Sequence, residues 1–186
     1  MNEAIKTTIE TLASPLAESL GLSIWGVEIS GAGRPVLRIF VEKTEKSEKA
    51  DNSEAVNGCN IDDCAELSRL LGLSLDVEDV MSGAYSLEIS SPGLERSFFH
   101  PGQMTNYIGK KLTLILNNPL DAWPGRKRFQ GKLLSVDGDE IVIHPDDSPL
   151  EADPLKTTWQ NIQCVRLVHD FNANKGAKHP VGKARS

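Results

Sequence analysis

Ile24-Trp25-Gly26-Val27-Glu28-Ile29-Ser30, Gly31-Ala32-Gly33-Arg34 and Val36-Leu37-Arg38-Ile39-Phe40-Val41-Glu42 are two alternating runs on either side of a Gly-rich connection. Alternation of apolar and polar residues marks half-buried strands, and the short Gly-containing link makes the pair an antiparallel hairpin. The spacing places Trp25, Val27 and Ile29 on one face of the first strand and Leu37, Ile39 and Val41 on one face of the second. Upstream, Ile5, Ile9, Leu12, Leu16 and Leu20 recur every three to four residues, so an amphipathic helix is expected from about Glu3 to Leu20, closed by Gly21. Downstream, a second helix starts near Asn60 to Asp63, with a stripe of Ile61, Cys64, Leu67 and Leu71. A third strand, Ala84 to Ser90, turns Tyr85, Leu87 and Ile89 to one side.

The order helix, strand, strand, helix, strand predicts a two-layer α+β domain, a three-stranded sheet with both helices on one face. The other face carries Glu28, Arg38, Phe40, Glu42, Ser86 and Glu88. Such a face is either plain solvated surface or a docking surface. Residues 43–58 are almost wholly polar and read as a mobile insertion. Ser91-Pro92-Gly93 breaks the third strand, so the first domain spans 1–92 and a linker 93–99.

From 100 to 170 the period of two returns at Leu112 to Leu116, Phe129 to Val136, Ile141 to Ile143, Leu155 to Trp159 and Ile162 to Val168, with Asp137-Gly138 as a hairpin turn. About five short strands suit a small antiparallel barrel. The remaining 171–186 hold Lys175, Lys178, Lys183 and Arg185, with no acid after Asp170, and read as a disordered basic tail.

Across 186 residues, 39% hydrophobic and 25% charged is a globular composition, sufficient for two small domains. Three cysteines suit a reducing, cytosolic setting rather than a disulfide framework. There is no unbroken apolar signal-peptide core near the start, no run long enough to cross a membrane and no Asn-x-Ser/Thr sequon. Charge is unevenly placed: residues 1–96 hold 8 Lys+Arg against 17 Asp+Glu, whereas residues 97–186 hold 12 against 9. An acidic half favours basic partners, and a mildly basic half can touch phosphate.

Catalytic patterns fail one by one. Gly31-Ala32-Gly33 has Val36 where a dinucleotide fingerprint needs glycine, and no Gly-Lys pair is preceded by glycine at P-loop spacing. Gly72-Leu73-Ser74-Leu75-Asp76 lacks the final glycine of a nucleophile elbow. Cys59 and Cys64 are five apart, wider than most zinc knuckles, and the four histidines are scattered. No enzymatic activity, cofactor or metal is expected. Binding chemistry remains: Arg126-Lys127-Arg128 and Lys132 are candidate phosphate contacts, with Trp123 or Phe129 available to stack on a base, although Phe129 more naturally opens a strand and faces the core.

Cys64-Ala65-Glu66-Leu67-Ser68-Arg69, Leu75-Asp76-Val77-Glu78-Asp79 and Tyr85-Ser86-Leu87-Glu88-Ile89-Ser90-Ser91-Pro92-Gly93-Leu94-Glu95-Arg96 together resemble the bacterial ribosome maturation factor RimP family. The likeness extends to Trp25-Gly26-Val27-Glu28, Leu37-Arg38-Ile39 and Phe129-Gln130-Gly131-Lys132-Leu133, and so covers nearly the whole chain. It implies a KH-like N-terminal domain, a C-terminal SH3- or Sm-like barrel, and a non-catalytic role in maturation of the 30S subunit beside a basic ribosomal protein near the decoding region. The 43–58 insertion and the basic extension depart from that pattern, and the first domain has no Gly-x-x-Gly loop to clamp a nucleic-acid backbone.

On this reading the ribosomal-protein docking residues are Glu28, Arg38 and Glu88. Contacts to 16S rRNA or the ribosome fall to Arg126, Lys127, Arg128, Lys132, Lys175, Lys178, Lys183 and Arg185. Ser90, Ser91, Pro92, Gly93 and Arg96 form an interdomain hinge, in which Arg96 reaches an acid such as Glu88 or Glu78. A cytoplasmic monomer without membrane contact is expected; the competing reading is an Sm-like RNA-binding regulator.

Overall fold

The computed structural model describes residues 2–31, 33–44, 59–81, 83–149 and 152–169. The basic tail, with Lys175, Lys178, Lys183 and Arg185, and the expected insertion beyond residue 44 lie outside the described residues. Two compact units divide the chain, Met1–Asn106 and Tyr107–Ser186.

In the first unit, α1 (Asn2–Ser19) leads into β1 (Leu22–Ser30) and β2 (Val36–Lys43), followed by α2 (Ile61–Val77) and β3 (Ser86–Ser90). The sheet runs β1-β2-β3, with β1 and β2 antiparallel and β2 and β3 parallel. A parallel neighbour requires a crossover, and α2 supplies it. Ile9, Ala13 and Ala17 of α1 and Leu67, Leu71 and Leu75 of α2 are buried against Leu22, Val27, Leu37, Ile39 and Val41. The alanines at the centre of the α1 stripe leave room for the helix to approach the sheet. Ile61, expected on the buried stripe of α2, is 87% exposed because it sits on the first turn, beyond the packed region.

Trp25 corrects the expected hairpin pattern. Ile24 pairs with Val41 and Gly26 with Phe40, so Trp25 is the extra residue of a β-bulge. An inserted residue inverts the alternation. Leu22 and Ile24 before it and Val27 and Ile29 after it all join the core, while Trp25 does not.

The expected linker is also corrected. Residues 93–106 belong to the first unit. Phe98 is buried and packs on Trp25 at 6.0 Å between ring centroids, and Phe99 packs on Phe40 at 5.6 Å. A Cβ on Gly26 would run into the Phe99 ring. The one-turn α3 (Pro101–Met104) completes this layer: Gln103 Oε1 accepts from Phe99 N at 2.7 Å, and its Nε2 donates to the Trp25 carbonyl. Bulky aromatics at 98 and 99 have apolar surface to bury, which draws the segment onto the nearest sheet.

The second unit is a β-rich body of five antiparallel strands. They are β4 (Lys111–Leu116), β5 (Arg128–Asp137), β6 (Glu140–Pro145), β7 (Leu155–Thr158) and β8 (Ile162–Leu167), ordered β7-β6-β5-β4-β8. Leu112, Leu114, Leu116, Phe129, Leu133, Ile141, Ile143, Leu155 and Val165 form its interior. Phe129 faces inward as its place at the strand start suggests. Trp159 lies in a 3₁₀ turn, Trp159–Asn161, rather than in β7. A Cβ on Gly131 would strike the backbone of His144, so glycine permits the close approach of β5 and β6.

Gly26→Ala is expected to destabilise the chain by about 1–3 kcal/mol through overpacking against Phe99. Urea unfolding of Gly26→Ala, Phe99→Ala and the double variant tests this. Most of the cost should vanish in the Phe99→Ala background; equal costs in both backgrounds would disprove the contact.

Candidate functional site

Two surfaces, one on each unit, gather the charged residues singled out above. On the open face of the first sheet, the register sets Glu28 opposite Arg38 and Arg38 opposite Glu88 in one lateral row. Arg38 Nη2 lies 2.7 Å from Glu88 Oε2, Arg38 Nε donates to the same oxygen at 2.9 Å, and Arg38 Nη1 stands 3.9 Å from Glu28 Oε2. Hydrogen bonding to Glu88, then its charge, raises the Arg38 pKa further above its ordinary value. The row is solvent-accessible, so these pairs contribute little to stability. It presents two carboxylates around one guanidinium.

Beside this row, the bulge at Trp25 meets the chain returning from β3. Trp25 Nε1 donates to the Ser97 carbonyl at 2.7 Å. The Arg96 guanidinium stands 4.7 Å from the Trp25 ring centroid and 3.1 Å from Glu42 Oε2. Arg96 therefore reaches Glu42, not Glu88 or Glu78; Glu88 is engaged by Arg38. With both charged groups mostly covered, this ion pair fixes 90–96 to the sheet. Ser90 pairs with Phe40 as the last residue of β3, and Gly93 takes a left-handed φ of 71°. A cavity of about 340 Å³ opens next to the bulge between α1 and β1, with Glu3, Glu10, Trp25, Phe99 and His100 in its wall. Trp25 is the residue that sequence reasoning misplaced. The signal was Gly26, since an isolated glycine within a strand pattern marks a bulge or a close approach.

On the second unit, the expected basic cluster separates into two groups. Arg126 is held locally: Nη1 lies 2.8 Å from Asp147 Oδ2, and the guanidinium sits 4.4 Å from the Phe129 and 5.3 Å from the Trp123 ring centroid. Lys127 Nζ donates to the Asn117 carbonyl at 2.6 Å. Arg128 and Lys132 instead point outward from β5, on the face opposite Phe129 and Leu133. Register brings further cations to that face: Lys132 lies opposite Lys111 on one side and His144 on the other, and Thr113 lies opposite Gln130 and Arg166. Lys111 and Arg166 were not singled out in the sequence because they stand alone in their own strands. Lys111 Nζ is 2.7 Å from Asp146 Oδ2. Trp123 packs edge-on against Phe129 at 5.4 Å; Phe129 is buried and Trp123 half-buried.

Among the described residues no group of three or more His, Cys, Asp or Glu is placed to hold a metal ion, and no helix is long and apolar enough to cross a membrane.

Comparison with known proteins gives the family. A model of the RimP N-terminal domain matches residues 12–95. The ribosome maturation factor RimP of Nitratidesulfovibrio vulgaris strain DP4 is 45% identical over 172 residues, covering 91% of this chain and 93% of that protein. This chain belongs to the RimP family. Its relative in the Miyazaki F strain is 39% identical, covering 90% of this chain and 82% of that protein. The protein of the same name from Lawsonia intracellularis is 36% identical, covering 90% and 89%. Their shared name supports a role in ribosome maturation.

Hydrogen bonding from Arg126, opposed in part by desolvation, holds the Asp147 carboxyl below its ordinary pKa. Because the folded value is depressed, the contact's contribution is present above the unfolded carboxylate pKa and lost as pH falls through the folded value. Carboxyl NMR titration should give Asp147 a midpoint below that of an ordinary aspartate, returning to normal in Arg126→Ala. An unchanged midpoint would remove the ion pair from the solution structure.

Proposed function

We propose that this protein binds the immature 30S ribosomal subunit in the cytoplasm and assists its assembly without catalysing a reaction. The outer face of the β5-β4-β8 sheet carries the reading: Arg128, Lys132, Lys111 and Arg166 from three strands form one cationic patch. Lys111 and Lys132 stand directly opposite one another, an unfavourable like-charge pair with the single Asp146 carboxylate as counter-charge, so the face keeps an excess of positive charge. Phosphates of 16S rRNA neutralise such a patch and release counterions. Lys175, Lys178, Lys183 and Arg185 add positive charge later in the sequence, and Arg126 and Lys127 are proposed as further rRNA contacts. On this proposal the second unit is an SH3- or Sm-like barrel that positions the patch.

The acidic first unit, KH-like in this proposal, meets a basic small-subunit ribosomal protein near the decoding region. Glu28 and Glu88 offer two carboxylates for the single Arg38 guanidinium, so an incoming Lys or Arg finds negative charge in excess. The Ser90, Ser91, Pro92, Gly93 and Arg96 segment remains the proposed interdomain hinge, with Arg96 tied to Glu42 and Trp25 of its own unit. Transient occupation by a monomer lowers the barrier to correct incorporation.

Co-sedimentation with 30S subunits, 50S subunits and free rRNA at two salt concentrations tests the proposal. Selective migration with 30S particles is expected. The Lys111→Ala, Arg128→Ala, Lys132→Ala triple variant should bind more weakly and with a salt slope shallower by about 2–3. Equal binding to every RNA would favour a free-standing Sm-like regulator. No binding to 30S would overturn both surfaces.

A further inference from the structure

Cys59 and Cys64 lie outside both surfaces and are joined by the entrance of α2. Asn60 is the N-cap: its Oδ1 accepts from Asp63 N at 2.7 Å, and Asp63 Oδ2 accepts from Asn60 N at 3.4 Å. This capping box fixes Cys59 immediately before the cap and Cys64 one turn into the helix. Those two positions face each other across a helix entrance, where a pair of apolar side chains usually forms a staple. Here the staple is made of sulfur. The Sγ atoms are 2.9 Å apart, in an S–H···S contact, and both side chains are half-buried at the margin of the core. A disulfide is about 2.0 Å long, so less than about 1 Å of further approach forms the bond.

We propose that Cys59 and Cys64 are a site of reversible oxidation, converted by a low-molecular-weight disulfide into an intramolecular disulfide that locks the entrance of α2. The Cys64 thiolate attacks one sulfur of the oxidant and expels the first thiolate, leaving a mixed disulfide on Cys64. Cys59, deprotonated, attacks the Cys64 sulfur and expels the second. The protein loses two electrons and two protons, and the oxidant leaves as two thiols. Burial first, and the hydrogen bond with Cys64 second, push the Cys59 thiol up to about 12, so Cys59 rests protonated at neutral pH. Once Cys64 is capped, its charge no longer opposes ionisation of Cys59. Closure is therefore slow at neutral pH and faster as pH rises toward the Cys59 value. Cys164 sits on β8 of the other unit and takes no part.

The full chain is incubated with excess oxidised glutathione, quenched in acid, alkylated and mapped by mass spectrometry. The expected product is a peptide in which Cys59 and Cys64 together have lost two hydrogens, with no retained glutathione, reversed by dithiothreitol. Cys164→Ser should oxidise at the wild-type rate, whereas Cys59→Ser and Cys64→Ser should stop at a single glutathione adduct. The rate-limiting closure should quicken severalfold for each unit of pH between 7 and 9. The proposal is overturned if both thiols still alkylate after incubation at pH 9, if the glutathione adduct on wild-type Cys64 does not decay with time at that pH, or if the bond formed joins Cys164 or a second chain. The wild-type map decides this even where a serine variant folds poorly.

Discussion

The contact between Phe99 and the bare backbone of Gly26 organises the first unit. One extra residue in β1 turns Trp25 away from the helices, and the missing side chain at 26 admits the Phe99 ring to the opposite face of the sheet. Phe40 packs against that ring from the neighbouring strand, and Gln103 ties the returning chain to the Trp25 carbonyl. The sheet thereby acquires a second, smaller layer over part of its open face. What stays open is the Glu28-Arg38-Glu88 row. A regular β1 would carry Trp25 toward the core and leave the aromatic residues at 98 and 99 without a seat.

Charge is handled differently on the two surfaces. In the first unit, acids and arginines are interleaved: Arg38 sits between Glu28 and Glu88, and Arg96 is shared by Glu42 and the Trp25 ring. Solvent competes for the accessible Glu28-Arg38-Glu88 pairs, which add little stability, whereas the mostly covered Arg96-Glu42 pair holds its segment on the sheet. The outer face of the second sheet instead sets Lys111 beside Lys132, with Arg128 and Arg166 on the same side and Asp146 as a counter-charge at the edge. Opposite charges join within one unit; like charges gather where a polyanion is the proposed partner.

Much of the fold was legible from period and punctuation. Leu37, Ile39 and Val41 alternate without interruption and all three are buried; Asp137-Gly138 does separate β5 from β6; Leu67 and Leu71 do anchor the second helix. Three features escaped. Trp25 was assigned to the core because alternation was extended through Gly26, although a glycine there is what a bulge requires. Residues 93–99 looked like a linker because Pro92 and Gly93 end a strand, yet the aromatics that follow bury surface on the sheet they have just left. Lys111 and Arg166 carried no local signal, since each is a single cation in an otherwise ordinary strand.

By itself the sequence determined which residues are apolar at which period, where glycine and proline end elements, which half of the chain is acidic, and the family through its Ser90-Ser91-Pro92-Gly93-Leu94-Glu95-Arg96 segment. These are local or cumulative properties, readable without knowing what touches what. Tertiary structure decided the partner of Arg96, the face of Trp25, the meeting of Cys59 with Cys64 and the gathering of Lys111, Arg128, Lys132 and Arg166. Each depends on register or on a chain crossing back over a surface. A one-residue shift between strands exchanges every inward side chain for an outward one, and only the packed core settles which register holds.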